Sequence, residues 1–338
     1  MGLLDPHQRP PDSMRAIYKK YQKMQPGDLL NDIDIVDLGN HLSDIQKNKI
    51  SPVRNLAPEE LNRVFGSFTA DNSGHDYYTQ PVPVYEHEDM PGLHIIPSLL
   101  PPNIQQSLLS RLLHHNLASP NHLTNIHTHY NLAYPPGEAS FFSIDPRVQT
   151  PVATPLDPTI HRPLSISQLL NRKLRWTTLG GQYDWTAKRY PDIPPPAFPK
   201  DIKTLLEGIW HETKAEAAIV NLYSPGDTLS LHRDVAEFCD TGLISISLGC
   251  DAIFIIGTQS STSDEEKVLA LRLRSGSAVY MSLQSRFAWH GVPQIVANTC
   301  PDYLKDWPFN DTSNAHPEWK GWMNSKRINL NVRQMWAN

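Results

Sequence analysis

The sequence predicts a mainly β protein, a sandwich or jelly roll of short strands with helices packed outside it. Three observations carry this expectation. From about residue 217 onward apolar residues recur with period two in short runs. Turn signals separate the runs: Pro225-Gly226-Asp227, Gly249 to Asp251, and Ser275-Gly276. Just before them, "KDIKTLLEGIWHE" (200–212) has helical apolar spacing, as a helix laid on one sheet requires. Many short strands at hairpin spacing argue for two packed sheets.

Taken from the N-terminus, "SMRAIYKKYQKM" and "APEELNRVFGSF" read as helices joined by polar loop, and residues 1–90 read as a partly helical extension. "PPNIQQSLLSRLLHHNL" (101–117) opens after a proline pair and keeps helical spacing, which predicts a helix. Residues 118–164, rich in Pro, Thr and Asn, read mainly as loop, and "SISQLLNRKLRW" as a short helix. "PDIPPPAFP" (191–199) is a stiff extended connector. The strands follow: "AAIVNLYS", "TLSLHRD", "LISISLG", "AIFIIGT", "VLALRLRSG", "SAVYMSL" and "RINLNVRQM". The expected division is an extension over 1–90 and one domain over 91–338, with the roll at about 217–336.

Composition excludes several classes. The chain has 338 residues and a net charge of −5, with a pI of about 6.3, so nucleic-acid binding would need a local basic patch. Thirty prolines point to many irregular connections. Three cysteines without CxxC spacing suggest a reducing compartment. No apolar run reaches the ~18 residues of a membrane span. The first residues lack the apolar core of a secretory signal, and Asp5 and Asp12 argue against a transit peptide. A myristoylation site at Gly2 would want Ser or Thr where Pro6 stands.

The chemistry-bearing residues sit in the second half. In a strand, residues i and i+2 share a face. His232 and Asp234 in "SLHRD" therefore point together, and a histidine with a carboxylate suits iron(II) if a second histidine joins them. His290 in "SRFAWHGVPQ" is the candidate, although a chain with 15 histidines also offers loop histidines by chance. In "RINLNVR", Arg327, Asn329, Asn331 and Arg333 alternate with Ile328, Leu330 and Val332. An exposed strand shows the same alternation, but two arginines on one face also make a strip for a dicarboxylate, and 2-oxoglutarate is one that chelates iron. Asn221 and Tyr223 share a face of the preceding strand and are ordinary carboxylate donors.

The order N-x-Y, H-x-D, H and R-x-N-x-x-x-R resembles the AlkB family of iron(II)- and 2-oxoglutarate-dependent dioxygenases. "SRFAWHG" looks like that family's distal-histidine segment. "LRWTTLGGQYDWTAKRYP" is similar to the segment marking the AlkB homologue one branch of eukaryotes. The resemblance covers roughly residues 90–338. It implies the double-stranded β-helix of the 2-oxoglutarate dioxygenases, with Fe(II) held by His232, Asp234 and His290 and with O2 as co-oxidant. It implies that Arg327 pairs with the far carboxylate of 2-oxoglutarate, helped by Tyr223 and Asn329. Asn221 and Arg333 would lie near its keto-acid end. The bacterial relative has a base-contacting acid two residues past its iron aspartate; here Ala236 stands there, with Glu237 next to it as a weak substitute.

The implied activity is oxidative demethylation of a base in DNA (N6-methyladenine) or tRNA (N1-methyladenine), with 2-oxoglutarate decarboxylated to succinate. A target base must leave its stack, and flipped bases stack on aromatic rings. Trp176, Tyr183 and Trp185, with Arg172, Lys173, Arg175, Lys188 and Arg189 for phosphates, form a candidate lid, unless the aromatics are core. Two other readings stand beside this one: the same cofactors acting on a protein or small molecule, and a non-catalytic binding module. The family branch also raises cleavage at abasic sites, for which the sequence singles out no lysine. The expected protein is a monomer with no membrane attachment, inside the cell in nucleus, cytoplasm or mitochondrion.

Overall fold

The structure, a computed structural model, describes residues 4–5, 7–40, 42–70, 76–185, 187–259, 266–312 and 315–337. Gly2 and Pro6, read above against lipidation, lie outside them. Fifteen strands are assigned among the described residues: β1 (Ile35–Val36), β2 (Ile50–Leu56), β3 (Val82–His87), β4 (Leu93–Ile96), β5 (Tyr130–Leu132), β6 (Ala153–Pro155), β7 (Trp176–Gly180), β8 (Ala217–Tyr223), β9 (Leu229–His232), β10 (Leu243–Gly249), β11 (Ala252–Gln259), β12 (Glu266–Leu273), β13 (Ala278–Met281), β14 (Trp289–Ile295) and β15 (Arg327–Arg333). The larger sheet runs β2-β3-β4-β13-β10-β15-β8-β7 and the smaller β1-β12-β11-β14-β9, with β5-β6 as a separate pair. These are the two facing sheets of a jelly roll, and one continuous apolar core joins them through residues such as Leu222, Ile246, Phe254 and Ile256.

The seven period-two runs after residue 217 become β8 to β13 and β15 because alternation lets each strand bury a face, and here most strands bury both. The Pro225-Gly226 turn joins β8 to β9, and Gly226 takes the positive φ of 95° that such a turn needs. The helix Lys200–Ile209 ends at Trp210, whose ring stacks on Tyr280 of β13 at 6.3 Å, so this helix lies against the larger sheet. It packs on the helix Pro58–Thr69 at Gly208, where a Cβ would come within 2.7 Å of Val64.

Several outcomes differ from the sequence reading: β4 and β7 join the larger sheet and β5 and β6 form in the segment read mainly as loop, and two further differences bear on the site. Residues 1–90 contribute helices, as expected, but also strands. β1 pairs in parallel with β12, while β2 and β3 extend the larger sheet through β4. β1 has only two residues, and Pro52 in β2 and Pro83 in β3 interrupt the apolar alternation that would mark a strand. The helix Asp12–Lys23 lies across the smaller sheet, with Met14, Tyr18 and Tyr21 buried. The second difference is in "TLSLHRD": β9 stops at His232, so Asp234 stands in an irregular loop beyond the strand.

Candidate metal centre

β9 and β14 run antiparallel, and His232 lies directly opposite His290. The strands approach so closely that a Cβ on Gly291 would sit 2.8 Å from the Leu229 carbonyl oxygen. The two imidazoles are 4.3 Å apart, ring centre to ring centre. Asp234 Oδ1 is 3.7 Å from His232 Nε2, and Asp234 Oδ2 is 3.7 Å from His290 Nε2. Among the described residues, this is the one group of three or more His, Cys, Asp or Glu whose ligand atoms converge, all within 4.8 Å.

The protonation of the histidines follows from their other contacts. His232 Nδ1 donates to the Ser230 carbonyl at 3.0 Å and His290 Nδ1 to the Ala288 carbonyl at 3.1 Å. A carbonyl only accepts, so Nδ1 carries the proton and the Nε2 lone pair faces the centre, the arrangement a metal-binding histidine needs. Burial, with His232 beside it, pushes the His290 imidazole down to about 4. Burial alone would raise the Asp234 carboxyl, but Arg333 and the two histidines hold it well below the usual range. Arg333 Nη2 donates to Asp234 Oδ2 at 2.8 Å. Two imidazole nitrogens with their lone pairs turned inward and a carboxylate, their ligand atoms all within 4.8 Å, fit a dication.

Arg327, Asn329 and Arg333 are all buried, so the polar face of β15 is not an exposed one. It points into the roll. Arg327 is 1% exposed; its Nη1 reaches the carbonyls of Cys250 and Leu273, both at 3.3 Å, and its Nη2 reaches Ser247 Oγ at 2.7 Å. Tyr223 stands opposite Arg327 and Asn221 opposite Asn329 in the β8–β15 register. The Tyr223 hydroxyl and Arg327 Nε are buried and have no hydrogen-bond partner, although both are donors. A carboxylate would satisfy both, and this is the observation by which 2-oxoglutarate fits. The amide of Asn329 is already engaged, donating to Ser245 Oγ and the Ile246 carbonyl, each at 3.0 Å.

A cavity of about 350 Å³ opens over the centre. Tyr183, Trp185, Lys188 and Tyr190 line it together with His232, Asp234, Glu237 and Arg333. Asn221, Tyr223, Arg327 and Asn329 are not on its wall. Tyr183 and Trp185 meet edge to face at 4.9 Å, and Trp185 is 40% exposed. Trp176 is set apart: it sits on β7 opposite Asn221 and backs Trp185 at 5.6 Å without lining the cavity. Tyr190, packed on Tyr183 at 5.3 Å, was not singled out, although it lies in the same aromatic segment. Arg172, Lys173, Arg175 and Arg189 are exposed, and Arg175 pairs with Asp227.

Glu237 is where the site departs furthest from expectation. Its side chain is 2% exposed, with Oε2 3.1 Å from Arg286 Nη2 and Oε1 3.2 Å from Arg333 Nε. Both oxygens face guanidinium groups, so a base would have to compete with two arginines. Arg286 carried no sequence signal beyond standing just before the apolar run Phe287-Ala288-Trp289 that leads to His290.

A jelly roll that brings two histidines and a carboxylate together beside a cavity has the scaffold and donor set of a mononuclear non-haem iron oxygenase. The chain belongs to the 2OG-Fe(II) oxygenase superfamily, whose model matches residues 92–333, and within it to the AlkB group. It is 44% identical to a protein of Pyricularia oryzae named N6-methyladenosine RNA demethylase ALKB1, over 98% of each chain. It is 52% identical to the N6-methyladenosine RNA demethylase ALKBH of Cryphonectria parasitica, over 62% of this chain and 99% of that one. The tRNA demethylase abh1 of Schizosaccharomyces pombe is 40% identical, over 75% of this chain and 82% of its own. The family implies Fe(II) and 2-oxoglutarate as cofactor and cosubstrate. No helix among the described residues is long and apolar enough to cross a membrane.

Proposed function

We propose that this chain oxidatively demethylates adenine in RNA, with N6-methyladenosine and tRNA N1-methyladenosine as the candidate substrates. The observation that carries the reading is the convergence of His232, Asp234 and His290, two of which, His232 and Asp234, line a cavity that Tyr183, Trp185 and Tyr190 also line. The RNA side rests on the names of the similar proteins above, two of which specify RNA and one tRNA. The catalytic portion would begin near residue 91, in keeping with the match over 92–333.

His232, Asp234 and His290 would hold the iron. When bound, Fe(II) supplies the chemistry that spends dioxygen and 2-oxoglutarate to hydroxylate an N-methyl group, leaving succinate and carbon dioxide. Arg327 and Tyr223 would take the far carboxylate, supplying the two donors that lack a partner. Arg333 orients Asp234. The cavity lies at the low end of the ~300–1,000 Å³ range of small-molecule pockets, which suits one flipped base but not a duplex. Tyr183 and Trp185 would stack on that base and shield the centre from water.

The test is succinate and formaldehyde release from oligonucleotides carrying N6-methyladenine or N1-methyladenine, each as RNA and as DNA. The expected result is turnover on methylated RNA above methylated DNA, abolished in Asp234→Ala. Formaldehyde release from none of the four would move the substrate to a protein or small molecule. Absence of succinate as well, even without substrate, would favour a binding module.

A further inference from the structure

Asp234 occupies an irregular loop, yet a metal ligand has to be held to within a fraction of an ångström. Arg286 is buried behind this loop. Its Nη1 donates to the Asp234 carbonyl at 2.9 Å and its Nε to the Thr241 carbonyl at 2.7 Å, while Nη2 meets Glu237. Glu237 meets Arg333, and Arg333 meets the Asp234 carboxylate. The contacts close a ring: Asp234 side chain, Arg333, Glu237, Arg286, Asp234 main chain. Two carboxylates and two guanidiniums make it neutral.

We propose that Glu237 is a positioning residue for the metal centre, balancing Arg286 and Arg333 so that Arg333 orients Asp234 without drawing it away from the metal, and that it does not read the base. The inference rests on the metal assignment above. Without Glu237, Arg333 keeps the Asp234 carboxylate as its partner, while Arg286 is left with the Asp234 and Thr241 main-chain carbonyls and an uncompensated buried charge. Arg333 then competes harder for the ligand oxygen, and the surplus positive charge repels a dication. Both effects lower metal affinity. Base selection is thereby left to the aromatic residues of the same cavity, Tyr183 and Trp185.

The experiment titrates Mn(II), a redox-inert probe, into metal-free protein without substrate, following binding by calorimetry and unfolding by circular dichroism. Partners of metal ligands typically change affinity about 10- to 100-fold. Glu237→Gln is expected to weaken Mn(II) binding at least about tenfold by this measure, and Glu237→Asp, which keeps the charge, to recover part of the loss. A base reader behaves differently: Glu237→Gln would bind Mn(II) like the parent and lose only turnover on methylated RNA, which overturns the proposal. If both variants are unfolded, the ring is a folding element and the proposal also falls. His290→Ala is the control for the underlying assignment. Should it bind Mn(II) as tightly as the parent, the metal assignment fails, whatever the Glu237 variants do.

Discussion

At the scale of single residues, burial decides what a charged side chain can do. Arg327 spends its Nη groups on Ser247 and two carbonyls and keeps Nε in reserve. Arg327→Lys keeps a charge but loses the planar fork. One lost charge-assisted hydrogen bond is worth about 1.5–3 kcal/mol, so 2-oxoglutarate affinity should fall roughly 10- to 150-fold. An unchanged affinity, measured by calorimetry, removes Arg327 from the cosubstrate site. Its neighbour Lys326 had no sequence signal. Burial pushes its ammonium down to about 8, while its Nζ donates to the Asn171 carbonyl and Ser224 Oγ. In the unfolded chain it would titrate near its ordinary 10.5. Between about pH 8 and 10.5 the unfolded state therefore binds more protons, and stability rises with pH. Against Lys326→Met, which cannot titrate, the parent should gain stability across that window. A difference that stays flat from pH 7 to 10.5 would place this lysine in water.

Between elements, the decisive contact is the one that seats β9 on β14. Gly291 lies in the bulged pairing between the His232–His290 and Leu229–Val292 partners. Its missing Cβ would meet only backbone: Leu229 O at 2.8 Å, Leu231 N and Ser230 C at 3.1 Å. Since backbone cannot rotate away, Gly291→Ala must push the two strands apart. Overpacking of this kind costs about 1–3 kcal/mol, and here it also separates the two histidines, so Mn(II) affinity should drop together with the melting temperature. Retention of parental Mn(II) affinity would show that the strands do not fix the histidine pair. The aromatic segment obeys a different rule. Tyr183→Ala and Trp185→Ala remove groups from a cavity wall and should cost about 1–3 kcal/mol in transition-state stabilisation on methylated RNA. Uncoupled 2-oxoglutarate turnover and melting should stay near parental values. Trp176→Ala should lose stability as well, because Trp176 buttresses Trp185 from β7. If Trp185→Ala unfolds the protein, the segment is core and stacking is excluded.

For the whole molecule, the N-terminal third is a structural partner of the roll. Met14 is buried against Gly257 of β11, with its Sδ 3.1 Å from where a Cβ would stand, and Asp37 pairs with Arg274 beyond β12. Met14→Ala should cost about 2–5 kcal/mol in denaturant unfolding; a loss below about 0.5 kcal/mol, as at ordinary surface sites, would detach this helix from the core. None of this docking is written locally. The roll itself was legible, since alternation with period two and the turn at Pro225-Gly226 are local properties of the backbone and side chains. That His232, Asp234 and His290 belong together was implied by the family resemblance of their order, and the structure brings their ligand atoms within 4.8 Å of one another. The sequence could not say that β9 ends before Asp234, because strand length depends on which neighbour supplies hydrogen bonds. Nor could it show the fate of Glu237, which depends on Arg286 and Arg333, residues 49 and 96 positions away in the chain. Residue type and spacing determined which chemistry this chain carries. Only the tertiary structure decided which charges face the metal centre and which neutralise one another, because the pairing of buried charges is set by proximity in space.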